Sequence, residues 1–486
     1  MQASFLFHDY ETFGTNPALD RACQFAAVRT DADFKPCGDP LVVYCQPGEE
    51  RLPHPQACLI TGITPQLAQR EGLCEADFTA AIEAAVSVPL TCTLGYNNFR
   101  FDDEFTRNLL YRNLYDPYTH EWKNGNSRFD LIDLTRMFSA LRPDGINWPH
   151  HEDGTPSYRL EDLAAANALE HGQAHDALAD VRATIGLARL LAQANPKLWQ
   201  WGLSLRDKHK VEQLLATHEL LLHSSSRYPA KQHCTALITP LARHPDIASQ
   251  MIVYDLSVDP RQFAGLDSDQ LEDLLFTSSA DLPEDYQRLP VKTIKLNRAP
   301  MLAPINTLPD VSGKTPGTDI ETARRHREHL QADAALSRRI VGLFAQRQFH
   351  AVTDPDRMIY QGFFSSADRA LLQRLRQTNC RDWPNPLPAH DDERIPEMLF
   401  RYRARNHPDS LAPAEQQRWH EHCRRALSDC DHLPLQDYLQ LLQQLRLDAS
   451  TTASHGDAAL SVLDQLQAWA LQLAQAHAIV LNPDYS

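Results

Sequence analysis

The chain has 486 residues, 43% hydrophobic and 23% charged, enough apolar side chain for several cores in about two to four domains. Its 47 basic and 63 acidic residues give a formal charge of −16, which excludes a body coated in positive charge but allows a local basic groove for nucleic acid. No apolar run is long enough for a transmembrane helix, and the start has no basic n-region, so neither a membrane span nor a secretory signal is expected. The ten cysteines are scattered with no CxxC pair and read as the reduced thiols of a cytoplasmic protein.

From residue 4 to about 195, strand-like runs alternate with helical periods, as in an α/β domain. The first run, Phe5-Leu6-Phe7, is bulky and apolar, as a buried central strand requires. A side-chain period of two sends Asp9 and Glu11 off the same side before Gly14 ends the run. Paired carboxylates there either mark where the strand meets solvent or hold a cation, for which oxygen-seeking Mg²⁺ or Mn²⁺ is suited. Residues 90–94 form the next candidate strand. Gly95, Asn97 and Asn98 then suit a turn before helical residues 105–110. This leaves Asp102 or Asp103 at a helix N-terminus, as a cap or as part of a site. A further helix covers 177–194, with Leu178, Val181, Ile185 and Ala188 as its buried stripe, and the Asn195-Pro196 step ends it. Asp180 lies beside that stripe, where an unpaired charge is costly, and His175 falls in the preceding loop or first turn.

Residues 197–216 read as another helix. Three β-rich runs follow, at 234–241, 251–256 and 291–296, with the spacing of a small bent sheet or barrel. Residues 303–318, rich in Pro, Gly and Thr, are a linker candidate. From Asp319 the pattern turns helical at 367–377, 413–427, 436–445 and 458–478, with leucines three or four apart in all of these but 413–427. There is no internal repeat that would indicate a solenoid. In the tail, His420, His422, Cys423, Cys430 and His432 suggest a zinc site at first sight. That stretch reads as helix and its spacings miss the finger pattern, so no zinc is expected from them.

Four acids and a histidine, from one strand and two helix starts, are what metal-assisted phosphodiester hydrolysis needs. One metal lowers the pKa of a water, a second stabilises the leaving 3′-oxygen, and a neutral histidine takes the water's proton. No P-loop, G-x-S-x-G or H-E-x-x-H motif supports a rival chemistry. The segments Asp9-Tyr10-Glu11, Asn98-x-x-Phe101-Asp102 and His175-x₄-Asp180 resemble, in order and spacing, the motifs of the DEDDh exonuclease superfamily. Longer stretches (HDYETFG, LITGITP, GYNNFRFDDE, AHDALADV, YQGFFSSADRA, RYRARNHP) resemble the bacterial exodeoxyribonuclease I family within it. The resemblance covers most of the chain and is weakest between about 224 and 290.

This resemblance implies hydrolysis of single-stranded DNA from the 3′ end, releasing 5′-mononucleotides, with two Mg²⁺ ions per site for which Mn²⁺ can substitute. It implies a ribonuclease-H-like DEDDh exonuclease domain at 1–196, an SH3-like β-barrel domain at 197–348 and a C-terminal all-helical domain at 349–486. These would form a ring-like passage that makes digestion processive, in DNA repair and recombination. By position, Asp9, Glu11, Asp102 and Asp180 are the implied metal ligands and His175 the general base, while Glu11 and Arg159 also touch substrate. Thr12 and Phe13 are expected near the terminal nucleotide. Arg107, Tyr118, Trp122, Arg128, Arg136 and Arg142 interleave rings and guanidinium groups as single-strand grooves do. Local core is an equal alternative for Tyr118 and Trp122. Lys208 sits in a basic run with Arg206, His209 and Lys210, either on DNA or on a solvated helix face. The implied protein partner is the acidic C-terminal tail of the single-stranded DNA-binding protein, and the chain is expected to be monomeric and away from membranes. Two other functions compete: a non-catalytic single-stranded DNA-binding protein, and a DEDDh nuclease acting on RNA ends. Intact acids at all four ligand positions speak against the first, and the long chain beyond residue 196 against the second.

Overall fold

The opening apolar run becomes β1 (Ser4–Thr12), with Phe5, Leu6 and Phe7 buried, at the centre of a five-stranded sheet. On one side β2 (Ala22–Thr30) and β3 (Leu41–Tyr44) add antiparallel; on the other β4 (Thr91–Gly95) and β5 (Ser127–Asp130) add parallel. The order is β3-β2-β1-β4-β5. Parallel pairing brings the carboxyl ends of β1 and β4 to one edge, where open α/β sheets bind ligands. Gly95 makes the close approach there possible: a Cβ on it would lie 2.9 Å from Asn98 Cβ and 3.1 Å from the His8 carbonyl oxygen. The helix Ala177–Ala194 has the expected span and packs across β1 and β2. Its buried face runs through Ala177, Val181, Ile185 and Ala188, while Leu178 is only half-buried. The computed structural model describes residues 3–169, 176–278, 281–283, 286–308, 319–345, 352–428, 433–451 and 456–481.

The single helix expected over 197–216 is two, Pro196–Ser204 and Lys208–Thr217. Asp207 accepts from the His209 backbone N–H and starts the second, a capping role that competes with helix continuation. The middle sheet contains the three expected runs as β7 (Thr235–Arg243), β8 (Gln250–Asp255) and β9 (Val291–Lys295). Two short strands that the pattern did not reveal, β6 (Leu221–Ser224) and β10 (Met301–Pro304), complete an antiparallel sheet in the order β10-β6-β7-β8-β9. The linker proposed at 303–318 therefore starts inside a strand, and its residues 309–318 lie outside the described residues. The helices Ile320–Ala332 and Ala334–Gly342 belong to this middle unit: Leu330, Leu336 and Ile340 share a core with Leu237, Ile252 and Tyr254. Helicity from Asp319 onward thus does not mark the C-terminal domain. The boundary at 196 falls at the start of Pro196–Ser204, and the one at 348 lies outside the described residues.

The tail is helical, as expected: Ser366–Arg376, Ile395–Asn406, Pro413–Leu427, Leu435–Thr451 and Gly456–Ala476. No helix among the described residues is long and apolar enough to cross a membrane, and every described cysteine is free. Two apolar clusters dock the tail on the first domain. One joins Phe13, Cys58 and Ile63 to Leu439, Leu466 and Trp469; the other joins Tyr111 and Leu114 to Ile359, Leu371 and Met398. Between these clusters runs a buried chain of charges. Arg21 Nη2 reaches Glu50 Oε1 at 2.9 Å, Arg405 Nε reaches the same oxygen at 2.7 Å, and Arg405 also pairs with Asp356, which Arg401 Nη1 meets at 3.0 Å. Arg112 and Arg21 share Glu75 at 2.6 and 3.7 Å. The arginines hold Glu50 well below, and Asp356 below, the ordinary carboxylate range despite the upward push of burial.

Candidate active site

The site grows from the carboxyl ends of β1 and β4. Asp9 and Glu11 leave β1 on one side, and helix Ala177–Ala194 lies against that strand closely enough for Asp180 to join them. One carboxylate oxygen of each of these three residues lies within 4.8 Å of the other two. The alanines at 177, 179 and 183, all buried, let the helix start sit close to the sheet, and the Ala177 backbone N–H donates to Gln24 Oε1 of β2 at 3.4 Å.

Asp102 arrives from the other side. It opens helix Asp102–Arg112, and its Oδ1 accepts the Tyr10 backbone N–H of β1 at 3.1 Å. The Tyr10 hydroxyl meets Thr106 Oγ1 at 2.9 Å, one turn along the same helix. Capping does not explain this pair of acids, since Phe101 occupies the N-cap position and makes no side-chain cap. The neighbouring Asp103 faces the opposite way, accepting from Asn98 Nδ2 at 3.3 Å and pairing with Arg128. Burial pushes Asp103 upward, but Arg128, His8 and Arg107 outweigh it and leave its carboxyl below the usual value. Asp130, which the sequence did not single out, shapes the turn between β4 and this helix. It accepts backbone N–H groups of Asn97 at 2.8 Å, Phe99 at 3.1 Å and Ile132 at 3.0 Å. Its position at a strand-to-helix junction in FDLIDL is the N-cap signal that would have found it.

Electrostatically the four acids are uncompensated by one another. Burial raises Asp9 well above the usual value, and Asp102, Glu11 and Asp180 raise it further. Burial, then Asp180 and Asp102, push Glu11 up to about 8, and burial with Asp103 pushes Asp102 up to about 8. Crowded carboxylates with only oxygen donors fit hard divalent cations such as Mg²⁺ or Mn²⁺, which need several anionic oxygens. A pH signature follows in metal-free protein. The folded values of Glu11 and Asp102 lie above their unfolded ones, so folding favours the protonated forms. That stability is complete below about 4.5 and is lost as pH rises through about 8. The melting temperature in EDTA is therefore expected to fall between about pH 6 and pH 8.5 and to recover when Mg²⁺ or Mn²⁺ is added at the higher pH. A melting temperature indifferent to divalent ions at both pH values would contradict the site.

The other expected residues divide into groups. His175 lies outside the described residues. Arg159 is exposed at the start of helix Leu160–Ala166, and its segment is tied to the Asp102 turn because the Tyr96 hydroxyl donates to the Tyr158 carbonyl at 2.6 Å. Thr12 is buried and donates to the Gly14 carbonyl at 2.6 Å, and Phe13, only 4% exposed, sits in the apolar cluster under the tail. Arg107 and Arg128 are buried and committed to carboxylates: Arg107 to Glu121 at 2.6 Å and Glu104 at 2.9 Å, Arg128 to Asp103 and Glu121. Arg136 pairs with Asp133 and lies over the Tyr158 ring, while Arg142 donates to the Thr307 carbonyl at 3.1 Å in the middle domain. Lys208 and His209 face Glu212 at 3.7 and 3.5 Å, Arg206 Nη1 donates to Ser127 Oγ at 2.9 Å, and Lys210 lies 4.2 Å above the Trp201 ring.

Trp122 is 65% exposed, so it is not local core; Tyr118 is half-buried with its ring edge-on to Phe363 at 5.6 Å. These rings line a cleft of about 430 Å³ between the first domain and the tail, together with Tyr115, Phe364 and Arg376. Phe363, 80% exposed, and Tyr360, 63% exposed, were missed as site candidates. The sequence signals for them are three rings crowded round a glycine in Tyr360–Phe364, with neither strand nor helix period, and their place in the family-like stretch YQGFFSSADRA. Glu104 joins all three units, since Arg298 Nη2 reaches it at 2.6 Å and the Tyr360 hydroxyl also bonds to it.

Residues 6–188 match the family described as "Exonuclease", 206–346 the "Exonuclease I SH3-like domain" and 353–473 the "Exonuclease I C-terminal domain". The chain is 45% identical to exodeoxyribonuclease I of Escherichia coli over 454 residues, covering 92% of this chain and 94% of that one. It is 39% identical to exodeoxyribonuclease I of Haemophilus influenzae over 474 residues, covering 97% and 98%. The crystal structure of E. coli exonuclease I in complex with a dA16 oligonucleotide superposes with a TM-score of 0.92 at 43% identity, covering 97% of this chain and all of that one. A zinc-bound form of the E. coli enzyme with single-stranded DNA gives the same TM-score, 0.92, over 98% of this chain and 100% of that one, at 43% identity.

Proposed function

The chain belongs to the exodeoxyribonuclease I family, and from that membership we propose how its geometry carries out the reaction. The protein is a 3′-to-5′ exonuclease of single-stranded DNA. The observation that carries the mechanism is the meeting of Asp9, Glu11 and Asp180 oxygens within 4.8 Å at the end of the central strand, with Asp102 held beside them. These four acids are assigned to two divalent cations, Mg²⁺ in the cell with Mn²⁺ able to substitute. When bound, the cations lower the pKa of a water and neutralise charge on the scissile phosphate and the leaving 3′-oxygen. The chain's own groups do the rest. The backbone of β1 fixes Asp102, Asp130 fixes the turn before it, and exposed Arg159 offers a planar fork suited to a phosphate. His175 is the general base by its motif position, taking the proton from the water as 5′-mononucleotides are released.

The incoming strand is proposed to cross the exposed rings of Trp122, Phe363 and Tyr360, which stack on any base. Replacing Trp122 and Phe363 by Ala one at a time is expected to weaken binding of an oligonucleotide by about 1–3 kcal/mol each while leaving kcat nearly unchanged. Equal affinity in steady-state and binding assays would remove these rings from the path. The meeting of three units at Glu104 supports processive digestion by a monomer. A cytoplasmic role in DNA repair and recombination, and docking of the acidic tail of the single-stranded DNA-binding protein, complete the reading by family membership. Release of nucleotides from 3′-labelled DNA and RNA strands tests the substrate class: DNA should be trimmed far faster, and equal or faster trimming of RNA would defeat it.

A further inference from the structure

Among the described residues, two groups bring three metal-binding side chains together, and one of them lies outside the active site. It spans two domains. Glu49 comes from the loop after β3, Cys423 from helix Pro413–Leu427, and His477 directly follows helix Gly456–Ala476. One ligand atom of each lies within 4.8 Å of the other two. His477 is 3% exposed, and its Nε2 has no hydrogen-bond partner, although Glu49 Oε2 lies 3.8 Å from it. Cys423 is fully buried beside it. A buried ring nitrogen left without a partner is costly, and an ion is one of the few things that removes the cost.

We propose that Glu49, Cys423 and His477 bind one transition-metal cation of the Zn²⁺ type, which staples the C-terminal helical domain to the exonuclease domain. Sulfur, imidazole nitrogen and carboxylate oxygen together suit Zn²⁺ and do not suit Mg²⁺. Nitrogen and oxygen bonds of about 2.0–2.2 Å in a tetrahedron put those two donors roughly 3.3–3.6 Å apart, so the 3.8 Å between His477 and Glu49 needs only a small closure to reach a ligand-to-ligand spacing. The second ring nitrogen of His477 faces Nδ1 of His420 at 3.0 Å. With the proton on His477 Nδ1 and donated to His420, Nε2 keeps its lone pair for the metal, the usual outer-shell arrangement of a zinc histidine. Glu49 and His420 also line a cleft of about 540 Å³, so the Glu49 side of the group faces solvent. Cys423 belongs to the tail cluster that sequence spacing argued against. The fold supplies different partners for it, one from the first domain and one from the last helix, and Cys430 and His432 lie outside the described residues.

Co²⁺ added to the metal-free full chain tests this, because only a thiolate ligand gives a near-ultraviolet sulfur-to-cobalt band and the catalytic acids cannot. The band is expected to saturate at one equivalent and to vanish in Cys423→Ser. Should that buried substitution disturb folding, the exposed Glu49→Gln decides: Zn²⁺ affinity should fall at least about tenfold while Mg²⁺-supported digestion of single-stranded DNA keeps the parent rate. His477→Gln should weaken Zn²⁺ as much. Absence of the band at saturating Co²⁺, or Zn²⁺ affinity unchanged in Glu49→Gln and His477→Gln, overturns the proposal.

Discussion

Asp180→Asn is expected to lower nucleotide release by at least about a thousandfold and, in EDTA near pH 8, to raise the melting temperature. The first effect follows from removing an anionic oxygen from the metal site: cations there contribute several kcal/mol to the transition state, and each 1.36 kcal/mol is about a factor of ten. The second follows from the repulsion of Asp180 with Glu11 and Asp9, which raises the pKa of both. Taking away one carboxylate relieves its neighbours, and the amide keeps the shape. A variant that is merely misfolded would lose activity and stability together. Opposite signs for activity and metal-free stability are what a site that trades stability for function produces. Nucleotide release from a 3′-labelled strand, alongside melting in EDTA, reads both.

Arg405→Met has the largest expected effect on stability, a loss of about 3–5 kcal/mol. Arg405 is buried between Glu50 on the first domain and Asp356 on the tail, and its removal leaves both carboxylates without their shared cation. Chemical denaturation of the full chain checks the magnitude, and a loss below about 1 kcal/mol would mean that water already screens the network. The pH signs of this network and of the catalytic acids oppose each other. Glu50 and Asp356 have lowered folded values, so their contribution is present above the unfolded carboxylate value and is lost as pH falls toward the folded ones. Without a bound cation, the crowded acids of the candidate site lose theirs as pH rises. Metal-free protein should thus be most stable in mildly acidic buffer, and divalent ions should move that optimum upward.

Much of the site was legible because its signals are local. The apolar run before Asp9 and the period of two in β1 placed two acids on one side, and the helical stripe after Asp180 gave the helix 177–194 its bounds. The choice between Asp102 and Asp103 was not legible in the local pattern and came only from the motif resemblance. It is made by the Tyr10 backbone on one side and Arg128 on the other, partners distant in the chain. The surroundings of the arginines were hidden for the same reason: nothing in composition separates Arg159, which is exposed, from Arg107 and Arg128, which are buried in ion pairs. Strands as short as β6 and β10 owe their existence to each other's hydrogen bonds and carry little period of their own. The break at Asp207 was hidden by a cap that looks like any other charged helix residue.

The central claim is that Asp9, Glu11, Asp102 and Asp180 together hold the divalent ions of the reaction. Crystals soaked in Mn²⁺, with anomalous scattering recorded, test it most directly. The account predicts two manganese peaks, each within bonding distance of oxygens from this set; manganese bound elsewhere with these carboxylates bare would contradict it.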